Sequence, residues 1–162
     1  MDRGKLDKYL SANSSNRVSG IHLFSDLDST NVEAGRLIES GETGTHLIIA
    51  DAQSAGKGRR GRNWLSPAGS GLYLSLLYPF SESADKLQAL SLVTALSVHA
   101  TLLELGAGKL QLKWPNDILL GNKKLSGILL ELKKVNDLSF VVFGIGINVD
   151  LSDQQKLSVD RP

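Results

Sequence analysis

The sequence predicts an α+β fold in which a mixed β-sheet packs against α-helices. The first observation is the order of its segments, which runs β-α-β-β-α-β-β-β-β. The second is the dipeptide Gly121-Asn122, which separates two strand-like runs and is typical of a two-residue β-hairpin turn. The third is the length, because 162 residues suffice for one domain with a core of its own.

The first part of the chain alternates between strands and helices. Polar residues at 28–31 can cap a helix over about 31–40, which Gly41 ends. Apolar residues recur at steps of three and four between Leu87 and Leu103, which predicts a long helix that ends at Gly106. Strands are predicted at residues 21–24, 46–50 and 71–78, the last with Leu72, Leu74, Leu76 and Tyr78 at a spacing of two.

The remainder of the chain is almost entirely strand-like. The predicted strands are residues 110–114, 118–120, 125–132 and 138–149. We expect a polar leader over residues 1–18, a catalytic or binding domain over 19–150 and a polar tail over 151–162.

Composition narrows the class of protein. Hydrophobic residues make up 41% and charged residues 22% of the chain, which are ordinary values for a globular domain. The absence of cysteine excludes disulfides and thiol nucleophiles, and the three histidines are not at metal-ligand spacing. Neither a signal peptide nor a membrane-length apolar run is present, so we expect a cytoplasmic protein without a membrane partner.

A loop at residues 53–67 concentrates positive charge. Four cations, Lys57, Arg59, Arg60 and Arg62, lie among three glycines that allow close approach to a ligand. This composition favours binding of a phosphate or carboxylate. No helix pattern follows the glycines, which excludes a Rossmann turn, and the spacing of a P-loop is not met. A solvated basic loop, or one that binds nucleic acid phosphates, remains an alternative.

The hairpin at Gly121-Asn122 predicts a lysine beside a carboxylate. A two-residue turn pairs Leu120 with Lys123, Leu119 with Lys124, and Asp117 with Ser126. Paired residues point to the same face, so Asp117 and Lys124 should lie about one diagonal step apart. The alternative is an edge-strand lysine that serves solubility.

The last strand separates an apolar face from a face with missing side chains. Gly144, Gly146 and Asn148 lie together opposite the apolar residues, which would leave space for a ligand against the sheet. A twist or bulge that needs glycine would explain the same pattern. Ser29-Thr30-Asn31 is similarly open to two interpretations, a helix cap or ligand-binding side chains.

Taken together, several stretches resemble the catalytic domain of biotin protein ligases, in the biotin/lipoate ligase superfamily. The resemblance covers roughly residues 20–150 and implies a fold related to the catalytic domains of class II aminoacyl-tRNA synthetases. The stretches that carry it are Asp28-Ser29-Thr30-Asn31, Gln53 with Gly56 to Gly61, Arg62-Asn63-Trp64 to Pro67, Gly71-Leu72-Tyr73-Leu74-Ser75, Lys113-Trp114-Pro115-Asn116-Asp117, Lys124-Leu125-Ser126-Gly127-Ile128-Leu129 and Gly144-Ile145-Gly146-Ile147-Asn148.

The resemblance implies an enzyme that joins biotin to ATP as biotinyl-5′-adenylate with Mg²⁺, then transfers biotin to a lysine of a biotin carboxyl carrier domain. It implies no side-chain ligands for a resident metal. The implied catalytic residues are Lys124, Arg59 and Asp117; the biotin-binding residues are Ser29, Thr30, Asn31, Gln53, Lys57, Gly58, Arg59 and Lys124; the nucleotide-binding residues are Arg59, Arg62, Trp64, Asn116, Lys124 and Asn148.

The sequence departs from the family pattern in three respects. Lys57 stands where the family most often has arginine, which keeps the charge but loses a bidentate fork. We expect no winged-helix DNA-binding domain, because the leader is too short, and we expect a truncation before the family's small C-terminal β-domain. A homodimer is consistent with the family. The alternatives are a lipoate–protein ligase, a binding-only remnant that holds biotin or nucleotide, and a basic-loop nucleic-acid binder.

Overall fold

A computed structural model describes residues 17–81 and 87–152. The tail predicted at 151–162 and the leader predicted at 1–18 therefore lie almost wholly outside the described residues. The elements are β1 Gly20–Phe24, α1 Thr30–Glu39, β2 His46–Ala50, β3 Gly71–Pro79, α2 Leu87–Glu104, β4 Leu110–Lys113, β5 Asp117–Leu120, β6 Lys123–Val135 and β7 Leu138–Asn148, with a short 3₁₀ turn at Arg59–Gly61 between β2 and β3.

The predicted order of strands and helices is confirmed, and most boundaries agree within two residues. α1 ends at Glu39 with Ser40 as its C-cap residue, and Gly41 follows with a φ of 97°, a conformation that glycine adopts without strain. The largest difference is β6, which continues to Val135 instead of ending at Leu132. Its added residues pair with the start of β7 as far as Val135 and Leu138. The partner strand, rather than the local apolar pattern, thus determines the length of β6.

The strands form one seven-stranded mixed sheet in the order β1-β2-β3-β7-β6-β5-β4. β1 and β2 are parallel, and every other neighbouring pair is antiparallel. β7 comes last along the described chain but lies at the centre of the sheet, between β3 and β6. Residues from both halves of the chain therefore meet on the surface of β7.

Helix α1 covers part of one face of the sheet. Its residues Ala34 and Ile38 are buried against Ile48 of β2, Leu77 of β3 and Val142 of β7. Burial of the larger side chains among these, isoleucine, leucine and valine, contributes about 1.5–3 kcal/mol each. Helix α2 packs instead against strands β4, β5 and β6. The apolar core thus places the N-terminus of α1 over the middle of the sheet.

None of the described helices has the length and apolar character needed to cross a membrane.

The hairpin between β5 and β6 confirms the predicted register only next to its turn. Leu120 pairs with Lys123 and Leu119 with Lys124, but the expected pairing of Asp117 with Ser126 is wrong. The register shifts by one residue, so that Ile118 faces Ser126 and Asp117 faces Gly127. In the shifted register the Asn116 carbonyl, just before β5, accepts a hydrogen bond from the Ile128 N–H of β6 at 2.9 Å, and the Asn116 side-chain amide donates to the Ile128 carbonyl at 3.0 Å.

Two fully buried serines on the sheet provide a matched test of polar burial. Ser126 and Ser75 are both 0% exposed, but within the described part of the chain the Ser126 hydroxyl has no hydrogen-bond partner. Ser75 donates to Asn31 at 2.6 Å. We predict that Ser126→Ala raises the free energy of unfolding by about 1 kcal/mol, whereas Ser75→Ala lowers it by about 1–2 kcal/mol. Urea denaturation of both variants measures the difference, and equal effects would contradict the assignment.

Candidate active site

A cavity of about 440 Å³ opens on the sheet face beside the N-terminus of α1. That volume lies in the ordinary range for small-molecule sites, which is about 300–1,000 Å³. Its walls are the start of α1, the loop that follows β2, the first residues of β6 and the end of β7. The cavity therefore lies where the predicted polar loop, the lysine hairpin and the glycine-containing strand converge.

The first residues of α1 turn polar side chains into the cavity. Ser29 occupies the N-cap position, but its side chain makes no capping hydrogen bond. The Asp28 carboxylate instead accepts from the Ser29 N–H at 2.8 Å. Ser29, Thr30 and Asn31 are nearly buried, and all three line the cavity. The Ser29 side chain therefore does not cap the helix. It lines the cavity instead, as the second interpretation expects.

An ion pair between Asp28 and Arg36, on the solvent-exposed side of the helix, stabilises this turn. The Arg36 guanidinium donates to both oxygens of the Asp28 carboxylate, at 3.0 and 2.5 Å. Arg36 also donates to Glu33 at 2.8 Å. The hydrogen bonds from Arg36, with that from the Ser29 N–H, lower the pKa of Asp28 below its usual value of 3.8. The turn that carries Ser29 is thereby tied to the outer side of α1.

A chain of hydrogen bonds runs along the wall behind the cavity. The Gln53 side-chain oxygen accepts from the Thr30 N–H at 2.8 Å, and its amide nitrogen donates to the Ser66 hydroxyl at 2.7 Å. Ser66 in turn donates to the Trp64 carbonyl at 3.1 Å. On the other side of Thr30, the Ser75 hydroxyl lies 2.8 Å from the Thr30 hydroxyl. These contacts hold the side chains of three separate segments in one orientation.

The loop at residues 53–67 folds into a narrow hairpin over the cavity. The Gly58 N–H donates to the Arg62 carbonyl at 2.7 Å, and the Trp64 N–H donates to the Gly56 carbonyl at 2.8 Å. Arg59 donates to the Asn116 side-chain oxygen at 2.9 Å and so links the loop to the segment before β5. At the tip, Arg60 has a φ of 57°, which a non-glycine residue adopts at a cost in strain.

The indole of Trp64 lies directly on the sheet. A Cβ atom on Gly127 would come within 2.6 Å of Trp64 Cζ3, and one on Gly146 would overlap the indole. A Cβ on Gly144 would likewise overlap the Asn31 side chain. The predicted space beside β7 is therefore present, but side chains from two other segments occupy part of it. Glycine here permits close packing of Trp64 and Asn31, which the two-residue pattern alone did not indicate.

Lys124 lies beside the glycine surface formed by Gly127, Gly144 and Gly146, and a carboxylate lies next to it. Its Nζ is 2.9 Å from Asp117 Oδ1, and the two side chains are only 14% and 19% exposed. The same Nζ lies 5.3 Å from the centre of a Trp64 ring, within cation–π range. The predicted proximity of Lys124 and Asp117 is thus confirmed. The register from which it was predicted is wrong, because Asp117 pairs with Gly127 instead of Ser126.

The structure brings the sequence-predicted site residues together. All of them line the cavity except Asp117, which reaches it through the ion pair with Lys124. Residues that the sequence did not single out for the site are Ser66, Ser75 and Glu131, which all take part in hydrogen bonds to the lining side chains. Ser75 lies within the recognised stretch Gly71–Ser75, but Glu131 carries no local signal. The described residues contain no cluster of three or more His, Cys, Asp or Glu side chains placed to hold a metal ion.

Comparison with known proteins identifies the family. Residues 24–148 match the model of the Biotin/lipoate A/B protein ligase family. The chain belongs to this family. Among curated relatives, the Bifunctional ligase/repressor BirA of Salmonella typhimurium is 40% identical over 140 residues, or 78% of this chain and 43% of the relative. The Biotin–[acetyl-CoA-carboxylase] ligase of Paracoccus denitrificans is 42% identical over 125 residues, or 75% of this chain and 51% of the relative.

Solved structures of this ligase family have the same architecture. The biotin protein ligase from Aquifex aeolicus in complex with biotin and ATP superposes with a TM-score of 0.69 at 38% sequence identity, covering 85% of this chain and 57% of that one. The chain thus spans about half the length of the relatives that it matches.

The ion pair at the start of α1 predicts a pH dependence of stability. Because the pKa of Asp28 is lower in the folded chain than its usual value of 3.8, the pair stabilises the fold above that pH and is lost as the pH falls through the folded value. The exposed position of the pair keeps the effect small. Arg36→Gln should destabilise the chain at pH 6 and flatten the loss of stability as the pH falls below about 4.

The measurement is the free energy of unfolding at several pH values, with Arg60→Gln as the control because Arg60 is an exposed arginine of the loop tip. Parallel curves for the native chain and Arg36→Gln would contradict the role of the pair.

Proposed function

We propose that this chain carries the biotin-activating site of a biotin protein ligase. The proposed reaction joins biotin to ATP as biotinyl-5′-AMP and then transfers biotin to a lysine of a biotin carboxyl carrier protein. The observation that carries the proposal is the convergence of Lys124, the basic loop and the polar start of α1 on one cavity. The names of the relatives, which specify biotin, favour biotin over lipoate as the substrate.

The first proposed step opposes two anions, so it needs fixed positive charge. A carboxylate oxygen of biotin attacks the α-phosphorus of ATP, the bond from that phosphorus to the bridging oxygen breaks, and pyrophosphate leaves with the bonding electrons. Lys124 supplies a point charge on a strand, where it costs no reorganisation when charge develops in the transition state. Asp117, at 2.9 Å, holds the ammonium group in place until the substrates enter.

The second proposed step consumes the mixed anhydride. The neutral amine of the carrier lysine attacks the biotinyl carbonyl, an amide bond forms, AMP leaves and one proton is released. Water must be kept from the anhydride until the carrier arrives. The loop at residues 57–62, tied to the far wall by Arg59 and Asn116, is suited to cover the intermediate.

The remaining roles follow from position in the cavity. We assign biotin contacts to Ser29, Thr30, Asn31 and Gln53, the polar residues at the start of α1 and of the loop. Lys57, Gly58 and Arg59 would lie over biotin, while Arg62, Trp64, Asn116 and Asn148 would face the nucleotide. Mg²⁺ would enter with ATP, because this ion usually binds through substrate phosphates with only one or two carboxylates. The use of ATP makes the cytoplasm the expected compartment.

The decisive experiment separates binding from turnover. Calorimetric titration with biotin is expected to show binding, and biotin with Mg-ATP is expected to release pyrophosphate. Transfer of labelled biotin to a purified carrier domain then tests the second step. Binding without pyrophosphate release would support the binding-only alternative, and failure to bind biotin would overturn the proposal.

The charge of Lys124 can be removed without removing its packing. In Lys124→Met, the aliphatic stem that lies against Gly127 and Trp64 is retained, but the ammonium group is lost. We predict a loss of about 3 kcal/mol of transition-state stabilisation, or roughly a hundredfold in the rate of adenylate formation. Pyrophosphate release measures this rate.

The matched control is Lys123→Met, because Lys123 is the exposed neighbour in the same hairpin. Near-native adenylate formation by Lys124→Met, or an equal loss in the control, would refute the role of Lys124.

A further inference from the structure

We propose that Glu131 is a positioning residue, which orients Asn31 and thereby determines the direction of the hydrogen bonds in the wall of the cavity. Glu131 lies on β6, is 27% exposed at its side chain and does not line the cavity. Its consequence for ligand binding rests on the proposed function, in which biotin is the ligand. The contact itself does not depend on that function.

The first link is a hydrogen bond between residues 100 positions apart in the sequence. The Asn31 side-chain nitrogen donates to Glu131 Oε2 at 2.8 Å. An ionised carboxylate accepts hydrogen bonds and cannot donate them. The NH₂ group of Asn31 must therefore point toward Glu131, and the amide oxygen must point the other way, toward Ser75.

The second link carries this orientation to Ser75 and Thr30. The Ser75 hydroxyl has one hydrogen, and Asn31 Oδ1, at 2.6 Å, can only accept. Ser75 therefore donates to Asn31 and offers only lone pairs to the Thr30 hydroxyl, 2.8 Å away. The hydrogen of Thr30 is then directed either to Ser75 or to the Gln53 oxygen at 3.2 Å, both of which accept.

The result is a wall with a defined polarity. The Thr30 hydroxyl uses its hydrogen within the wall, so it can offer only a lone pair to the cavity. Gln53 accepts from the Thr30 N–H and donates one amide hydrogen to Ser66, which leaves its second hydrogen as a donor. A cyclic urea such as that of biotin has both a carbonyl acceptor and N–H donors. The Thr30 lone pair can thus accept from a ligand N–H, and the free Gln53 amide hydrogen can donate to the ligand carbonyl.

Packing alone does not decide this polarity. The oxygen and nitrogen of an asparagine amide are nearly equal in size, so the space above Gly144 accommodates either orientation of Asn31. If Asn31 were reversed, its NH₂ group would face Ser75, and the Ser75 hydrogen would turn toward Thr30. There it would occupy a lone pair that the Thr30 hydroxyl otherwise offers to the cavity. The carboxylate of Glu131 is the group that excludes the reversed state.

Three variants separate positioning from stability. Glu131→Leu removes the acceptor at similar volume. Glu131→Gln keeps an oxygen that can accept from Asn31 but adds an NH₂ group that can donate to a reversed Asn31. Lys133→Gln is the control, because it removes the ion pair of Lys133 Nζ with Glu131 Oε1 at 3.9 Å and leaves the Asn31 contact to Oε2 in place. We expect biotin affinity, measured by calorimetry, to fall roughly tenfold in Glu131→Leu. Glu131→Gln should lose less, about threefold, because its amide still bonds Asn31 but permits both orientations, and Lys133→Gln should bind like the native chain.

A double-mutant cycle tests whether Glu131 acts through Asn31. In an Asn31→Ala background, Glu131→Leu should cause no further loss of biotin affinity. A further tenfold loss in that background would overturn the proposal. Equal losses in Glu131→Leu and Glu131→Gln, in step with a lower melting temperature, would also overturn it.

The NMR signals of the Asn31 side-chain amide test the proposal without biotin. They are identified by their loss in Asn31→Ala, and they should shift in Glu131→Leu but not in Lys133→Gln. Failure of the native chain to bind biotin would count against the proposed function alone, whereas an unshifted Asn31 amide in Glu131→Leu would overturn the positioning role.

Discussion

The site depends on one steric constraint, the absence of side chains on the central strands where Trp64 lies. Gly127 and Gly146 allow the indole to rest on the backbone of the sheet. That position anchors the end of the basic loop and brings the ring within 5.3 Å of the Lys124 ammonium. A methyl group at either glycine would lift the indole, and with it the loop and the wall that it forms.

The polar wall of the cavity is stable because its buried side chains form hydrogen bonds with one another and with their neighbours. Thr30, Asn31, Ser66 and Ser75 are each less than 5% exposed, and each has a hydrogen-bond partner. Burial of such groups without partners would cost about 1–3 kcal/mol each. The apolar contacts of α1 hold the helix over the sheet and so place these side chains at the cavity. The same helix thus contributes apolar residues to the core and, at its N-terminus, polar residues to the cavity.

Local patterns predicted the elements well because each element carries its own signal. The turn at Gly121-Asn122 correctly placed the two pairs next to it, since turn geometry controls only the nearest residues. Beyond Leu119 the register shifts, and Asn116 and Ile128 are hydrogen-bonded to each other in the shifted arrangement, which the turn signal does not indicate. The predicted alternation along β7 was likewise correct, but the pattern did not indicate which side chains fill the space beside its glycines.

Turn signals, periodicity and short motifs are local properties of the chain. They were enough to predict the order of the elements, the family resemblance and the residues that line the cavity. The tertiary structure alone decided that Trp64 and Asn31 occupy the glycine surface, that β6 shifts its register, and that Glu131 orients Asn31 from 100 residues away. Such contacts join segments with no sequence relation, and only the packing of the folded sheet brings them within hydrogen-bonding distance.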